Sequence, residues 1–235
     1  ALALTLATAA AAPSLPLNRD SGSSASDSIT SSGVVNVSGL ETGATWQYST
    51  DGGTWTVGSG TSFTLAGDGA KSASVRQTDA AGNPSASSSA LAFTLDTNGP
   101  VFGSATAANL AENTSAATTA SASETSDATS VSYALSGTDA ALFTIDANTG
   151  AVTFKTAPNY EAAGDNGADN VYNLTVTATD AAGNSTPQTV AITVTNLNEM
   201  PTLTSGATAS LAENATGAVH TVTATDQDAG ATLTY

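Results

Sequence analysis

The sequence predicts an all-β chain built from tandem β-sandwich domains of about 100 residues each. Three observations carry that prediction. Apolar residues alternate with polar ones in short runs, the pattern of half-buried antiparallel strands. Gly, Asn and Asp cluster between the runs, where tight turns need them. Two separate motifs also recur at one spacing. Leu110-Ala111-Glu112-Asn113 returns as Leu211-Ala212-Glu213-Asn214, and 211 − 110 = 101. Thr78-Asp79-Ala80-Ala81-Gly82-Asn83 returns unchanged as Thr179-Asp180-Ala181-Ala182-Gly183-Asn184, and 179 − 78 = 101. A single period shared by independent motifs is the signature of a domain repeat.

The elements follow in chain order. Leu2, Leu4 and Leu6 alternate with small residues, so residues 1–12 read as the last strand and linker of a preceding repeat, closed by Pro13. Trp46 and Tyr48 share a strand face, and Asp51-Gly52-Gly53 turns the chain into Thr54-Trp55-Thr56-Val57. Leu91 to Leu95 reads as a final strand, followed by Pro100. Phe143-Thr144-Ile145 and Val152-Thr153-Phe154 flank Asp146-Ala147-Asn148-Thr149-Gly150, a hairpin with Gly placed for positive φ. Tyr172, Leu174, Val176 and Ala178 line one face of a strand over 171–180. Val190, Ile192 and Val194 do the same over 188–196, ahead of Pro201. Helical periodicity is absent throughout. These boundaries divide the chain into 1–12, 13–98, 99–198 and 199–235. Ala231-Thr232-Leu233-Thr234-Tyr235 matches Thr129-Ser130-Val131-Ser132-Tyr133, so the chain stops partway through a further period. Two accounts stay open: a longer polypeptide continues the repeat, or another chain supplies the remaining strands.

Composition narrows the function. There are 20 acidic residues against four basic ones, a net charge of −16. That excludes the basic footprint of a nucleic-acid binder and argues against adhesion to anionic lipid. Like charges strain a compact state, and a hard divalent cation, which prefers carboxylate and carbonyl oxygens, offsets them. Cysteine is absent, which fits a bacterial exported protein better than a disulfide-stapled secreted one. No apolar run approaches the roughly 18 residues of a membrane span. With one histidine and no cysteine, zinc sites of the Cys/His type are excluded. A Ser-His-Asp triad would need His220, which sits in a strand-like stretch with Val219 and Val222. Trp46, Tyr48 and Trp55 suit either a sugar platform or sandwich packing, of which packing is the commoner use. Acidic residues cluster at predicted domain ends and not in an aromatic pocket, so the chain reads as non-enzymatic.

Residues 99–235 resemble cadherin-like repeats of bacterial surface proteins. The marks are Ala111-Glu112-Asn113, Phe143-Thr144-Ile145-Asp146 through Asn148-Thr149-Gly150, Asn159-Tyr160-Glu161, Ala178-Thr179-Asp180, Asn198-Glu199-Met200-Pro201 and Asp226-Gln227-Asp228. Residues 14–98 resemble the bacterial Ig-like module of large adhesins of the RTX or biofilm-associated type. There the marks are Asp20-Ser21-Gly22, Asp27-Ser28-Ile29-Thr30, Gly39-Leu40-Glu41, Trp46-Gln47-Tyr48-Ser49-Thr50-Asp51-Gly52-Gly53 and Arg76-Gln77-Thr78-Asp79 through Asn83. The resemblance implies a long extracellular protein at the bacterial cell surface, exported by type I secretion and serving attachment and biofilm formation. Its partners would be the neighbouring repeats of the same chain, with self-association or a host ligand falling to domains outside this segment.

The resemblance also implies calcium at the joints. Calcium takes about six to eight oxygens, more than one loop supplies, but two facing domain ends and a linker supply them together. For the joint at 196–201 the implied ligands are Glu112 and Glu161 from the upper domain, Asn198 and Glu199 from the linker, and Asp226 and Asp228 from the lower domain. For the preceding joint they are Asp96, Asn98, Glu124 and Asp180, a smaller set, because Glu124-Thr125-Ser126 stands where an Asp-x-Asp would fall. The linker over 7–13 has no carboxylate. Asp20, Asp27 and Asp79 are a further candidate set at the head of the Ig-like domain. The implied function is a calcium-rigidified extender of a surface adhesin. A self-assembling fibre or surface layer, and the accessory region of a secreted enzyme, are the rival readings.

Overall fold

The structure is a computed structural model, which describes residues 9–124, 130–217 and 220–234. The expected strand over residues 1–7, Thr125-Ser126 and Tyr235 lie outside the described residues. The chain is all-β. Among the described residues the one helical element is a 3-10 turn, Ala140–Leu142, and none is long and apolar enough to cross a membrane.

The first sandwich comprises β1 (Ile29–Thr30), β2 (Val34–Asn36), β3 (Thr45–Ser49), β4 (Thr56–Val57), β5 (Ser62–Thr64), β6 (Gly69–Thr78) and β7 (Leu91–Leu95). One sheet runs β1-β7-β6-β3-β4 and faces the β2–β5 pair. The chain at Ser14 and Leu17 bridges to Ser38 and Val35, widening the smaller sheet. Val35, Val37, Trp46, Phe63, Val75, Phe93 and Leu95 fill the space between the layers. Trp46 is core and not a sugar platform. It lies against Phe63, and Tyr48 stacks on the same Phe63 ring at 4.2 Å. Trp55 lies under the Arg76 guanidinium, 4.1 Å from the ring centroid.

The second sandwich comprises β8 (Val101–Phe102), β9 (Ala107–Ala111), β10 (Ala116–Thr119), β11 (Ala122–Ser123), β12 (Ser132–Ser136), β13 (Phe143–Ile145), β14 (Ala151–Phe154), β15 (Val171–Thr179) and β16 (Ser185–Thr195). A four-stranded sheet, β12-β15-β16-β9, packs on a three-stranded one, β10-β14-β13, with β8 and β11 paired beside them. The alternation over 171–179 gives what it predicts, since Tyr172, Leu174, Val176 and Ala178 are all buried. Phe143, Phe154 and Tyr172 form the aromatic centre, with edge-on rings 4.9 and 5.8 Å apart. The expected hairpin is present with Phe143 opposite Phe154. β16 begins earlier than the alternation suggests, at Ser185, and takes in Pro187. Proline is tolerated there because β9 joins that side of β16 only from Ala191 onward, leaving the earlier part as an edge.

Residues 199–234 start a third unit. β17 (Thr202–Leu203) pairs with β18 (Ala224–Thr225). The pair repeats β8–β11 in detail. Gly103 and Ser104 N–H both donate to Ser121 O, and Thr204 and Ser205 N–H both donate to Thr223 O. The register shows one inserted residue in the third unit. Thr202 faces Thr225 as Val101 faces Ser123, and 202 − 101 = 101 whereas 225 − 123 = 102. His220 is exposed and outside any strand, because the short β18 starts only at Ala224. Thr234 has no strand assignment either, whereas its counterpart Ser132 opens β12 and pairs with Thr179.

One topological feature positions everything that follows. In the first sandwich β1 runs parallel to the last strand, β7. In the second β9 runs parallel to the last strand, β16. A first strand parallel to the last sends the chain in at one end of a sandwich and out at the other, so successive units follow end to end.

Ile192 is fully buried at the centre of the second core. Ile192→Ala should cost about 2–5 kcal/mol through lost burial and the cavity left behind. Both tryptophans lie in the first sandwich. Thermal melts followed by tryptophan fluorescence should therefore stay in place while the calorimetric transition of the second sandwich moves down.

Candidate metal centres

Both candidate centres arise where a last strand leaves its sheet. At the end of β16, Leu110 and Ala111 pair with Val194 and Thr195, and Glu112 N–H donates to Thr195 O at 3.1 Å. Glu112 therefore emerges beside the linker. Its buried carboxylate accepts from Leu197 N–H at 3.0 Å and from Tyr160 N–H at 2.8 Å. One side chain thus ties the linker to the loop that carries Glu161. Asn113 takes the left-handed conformation, φ 61°, a region asparagine enters more readily than most residues. Asn214, its counterpart one period on, does the same at φ 65°. Asn113 Nδ2 then donates to Glu199 Oε1 at 2.9 Å.

The outcome is that Glu112, Glu161 and Glu199 place carboxylate oxygens within 4.8 Å of one another. The third unit adds Asp228, whose Oδ2 accepts from Glu199 N–H at 3.0 Å, while Asp226 Oδ1 accepts from Asp228 N–H at 3.0 Å. Asn198 Nδ2 bonds Glu199 O at 3.1 Å. Asn198, Glu199 and Asp226 line one cleft of about 410 Å³ between linker and third unit. Asn196 Nδ2 donates to Glu161 Oε1 at 2.9 Å, and Asn159 Nδ2 reaches Gln227 Oε1 across the joint at 2.9 Å. Of the six residues expected here, three form the tight carboxylate group. The other three sit against Glu199 or along the cleft it lines.

The second group lies at the other end of the second sandwich. Asp96 follows β7, and its N–H donates to Thr30 O at 3.0 Å. Glu124 follows β11, placed beside the linker by the pairing of Ser123 with Val101. Asp180 opens the tight turn between β15 and β16. Their carboxylate oxygens also lie within 4.8 Å of one another, and Asp96 and Asp180 are buried. The strand register makes Glu124 the counterpart of Asp226, the position at which the sequence sets it against the Asp-x-Asp. Asn98 adjoins the group. Its side-chain amide donates to Asp68 Oδ2, and its N–H bonds Asp96 Oδ1 at 3.1 Å.

Asp20, Asp27 and Asp79 do not form one site. Asp79 follows the Thr78 end of β6, whereas Asp20 and Asp27 flank β1 at the Leu95 end, where Gly69 pairs with Leu95. The length of β6 separates them. Asp79 instead stabilises its own turn, accepting from Ala81 N–H, Asn83 N–H and Asn83 Nδ2. The carboxylate-free first linker is held by amide chemistry. Buried Gln77 donates to Ala11 O at 2.7 Å and Gly39 O at 3.1 Å, and Glu41 accepts from Ala11 N–H at 3.0 Å.

Several contributors carried no assignment from sequence. Asp68 accepts from Thr97 N–H, from its hydroxyl and from Asn98, fixing the linker after β7. Asn184 donates to both Asp180 Oδ2 and Asp96 O, at 3.0 and 2.9 Å. Asn113 and Asn184 sit in the two recurring motifs, and that recurrence is the signal that finds them. Asp68 has no such signal.

The donor set suits a hard divalent cation. Every group offered is a carboxylate, carbonyl or amide oxygen. Glu199 Oε2 is buried and accepts no hydrogen bond, a costly state for an anionic oxygen without a cation. Three of the chain's four Lys and Arg side chains have hydrogen-bond partners elsewhere. Lys71, Arg76 and Lys155 donate to Asp68 O, Gln47 Oε1 and Ala141 O. The Glu199 carboxyl is held above the usual glutamate range, first by desolvation and then by the charges of Glu112, Asp228 and Glu161, with the Asn113 hydrogen bond opposing.

Part of the chain resembles a known family. Residues 106–195 match the family model of the cadherin domain, which places a cadherin-like domain in the second sandwich. No curated protein matches the chain. Among solved structures, human protocadherin-24 EC1-2 is similar at 22% identity with a TM-score of 0.40, over 57% of this chain and 62% of that one. Drosophila N-cadherin EC1-3 is similar at 20% identity with a TM-score of 0.38, over 79% of this chain and 68% of that one. Human CDH23 EC21-23 is similar at 15% identity with a TM-score of 0.39, over 83% and 73%.

The raised Glu199 carboxyl fixes the sign of a pH effect. Stability tied to such a group is present below the ordinary glutamate value of about 4.3 and lost as pH rises through the raised value. In chelator, the joint at 196–201 should therefore be weaker at neutral pH than under mildly acid conditions. Glu199→Gln should flatten that dependence and raise metal-free stability at neutral pH. Melting curves of both chains across this range, with the same profile for each, would count against the assignment.

Proposed function

We propose that this chain is a calcium-rigidified extender segment of a large bacterial cell-surface adhesin, working outside the cell in attachment or biofilm formation. Its role is mechanical. Sandwiches divided as 13–98, 99–198 and 199–235, with 1–12 as the link to a preceding repeat, hold a binding domain away from the surface. The neighbouring repeats of the same chain are its partners, and it catalyses no reaction.

The observation that carries this reading is the convergence of Glu112 and Glu161 with Glu199 of the linker within 4.8 Å, next to Asp228 of the following unit. A cation held there would be bound by Glu112, Glu161, Asn198, Glu199, Asp226 and Asp228. At the preceding joint Asp96, Asn98, Glu124 and Asp180 would hold one. Calcium supplies the positive charge that lets these carboxylates stay ionised side by side. The ligands come from two units and the linker, so an ion that binds only their ordered arrangement stabilises it by mass action.

Calcium at a hundred times its Kd should stabilise the ordered joint by about 2.7 kcal/mol. Calorimetric titration of the chain should show calcium binding that Glu112→Gln weakens. Asp226→Ala combined with Asp228→Ala should free the joint at 196–201 and leave the second sandwich folded. If the double variant unfolded the second sandwich as well, these residues would belong to a core and not to a hinge.

A further inference from the structure

We infer that Ser21 and Gly22 form a docking seat on the Ig-like sandwich for the Asp180–Asn184 turn, and that this contact joins the first two sandwiches without metal. The chemistry is direct. Ser21 is 4% exposed, and its hydroxyl donates to Ala182 O across the joint at 2.6 Å. That hydroxyl is oriented from its own side by Ser31 N–H, which donates to Ser21 Oγ at 2.8 Å. Gly22 has φ +99°, and a Cβ there would lie 1.7 Å from Ala181 O. Only glycine lets the two backbones approach this closely. Gly183 faces it with φ +90°, and a Cβ there would stand 3.0 Å from Gly22 Cα.

The chain contains its own comparison. Thr78 to Asn83 is the same hexapeptide as Thr179 to Asn184. Both turns are closed alike, with the Asp carboxylate accepting from the Asn N–H and side-chain amide. In the second sandwich Ala182 is fully buried. In the first, its counterpart Ala81 is exposed, and among the described residues a Cβ on Gly82 would meet nothing within 4 Å. The turn thus holds its shape undocked, and what buries Ala182 is the seat. A preformed turn meeting a preformed seat loses little entropy on docking. The partner this seat fits is a β-hairpin turn offering an unpaired carbonyl followed by glycine.

Ser21 and Gly22 carry no carboxylate, although the turn they hold begins at Asp180, so the seat predicts different behaviour at the two joints on chelation. The chain lacks cysteine, so Thr54→Cys with Asn148→Cys takes a pair of spin labels, one on each sandwich. Distances measured between them in the whole chain, in chelator, should stay narrowly distributed. Gly22→Ala should broaden that distribution. Gly82→Ala, at a similar φ of +91° but with open space around it, should not. Ser21→Ala removes the hydrogen bond without disturbing φ and should also broaden it, while Trp46 and Trp55 fluorescence shows the first sandwich still folded. An unmodified chain as broad in chelator as Gly22→Ala would overturn the seat, as would Gly22→Ala remaining as narrow as Gly82→Ala. Neither result depends on whether calcium binds the chain.

Discussion

The parallel pairing of first and last strands is the constraint on which the rest depends. Once β9 lies beside β16 in parallel, Ala111 and Thr195 leave the sheet together. Glu112 must then sit next to the linker that Thr195 feeds. The β1–β7 pair likewise brings Thr30 beside Asp96, where the linker leaves the first sandwich. Antiparallel pairing of first and last strands would return the chain to the end it entered, and no row of units could form. The acidic joints follow from this topology, since the linker and the loops at the sandwich ends are what it brings together.

Charge then separates the three linkers. The one over 9–13 has no carboxylate and is held by Gln77 and Glu41. The one over 96–100 combines buried carboxylates with hydrogen bonds to Asp68 and the packing of Ser21 and Gly22 on the next sandwich. The one over 196–201 has four acidic side chains around Glu199, counting Glu199 itself, and only amide contacts to offset them. Dependence on a cation should rise along the chain in that order. A stalk built this way has stiff and conditional joints in series.

Much of this was legible in the sequence. The period, the 143–154 hairpin and the buried faces of β15 and β16 follow from side-chain alternation and turn residues, which are local properties. Glu112, Glu161 and Glu199 are marked by motif order. What the sequence hid depends on which end of a sandwich a loop occupies. Asp20 and Asp79 look alike in sequence, yet the length of β6 separates them. Asp68 and Ser21 act on partners far along the chain, and no local pattern announces that. Glu124 is marked in sequence as standing where the Asp-x-Asp falls, and strand register adds the one inserted residue that makes its offset from Asp226 102 and not 101.

The central claim is that a divalent cation orders the joint at 196–201. Small-angle scattering of the whole chain with calcium and with chelator tests it most directly. The maximum dimension should be longer with calcium and shorter and more varied in chelator, with Glu199→Gln showing a smaller difference between the two conditions. Identical scattering profiles under the two conditions would contradict it.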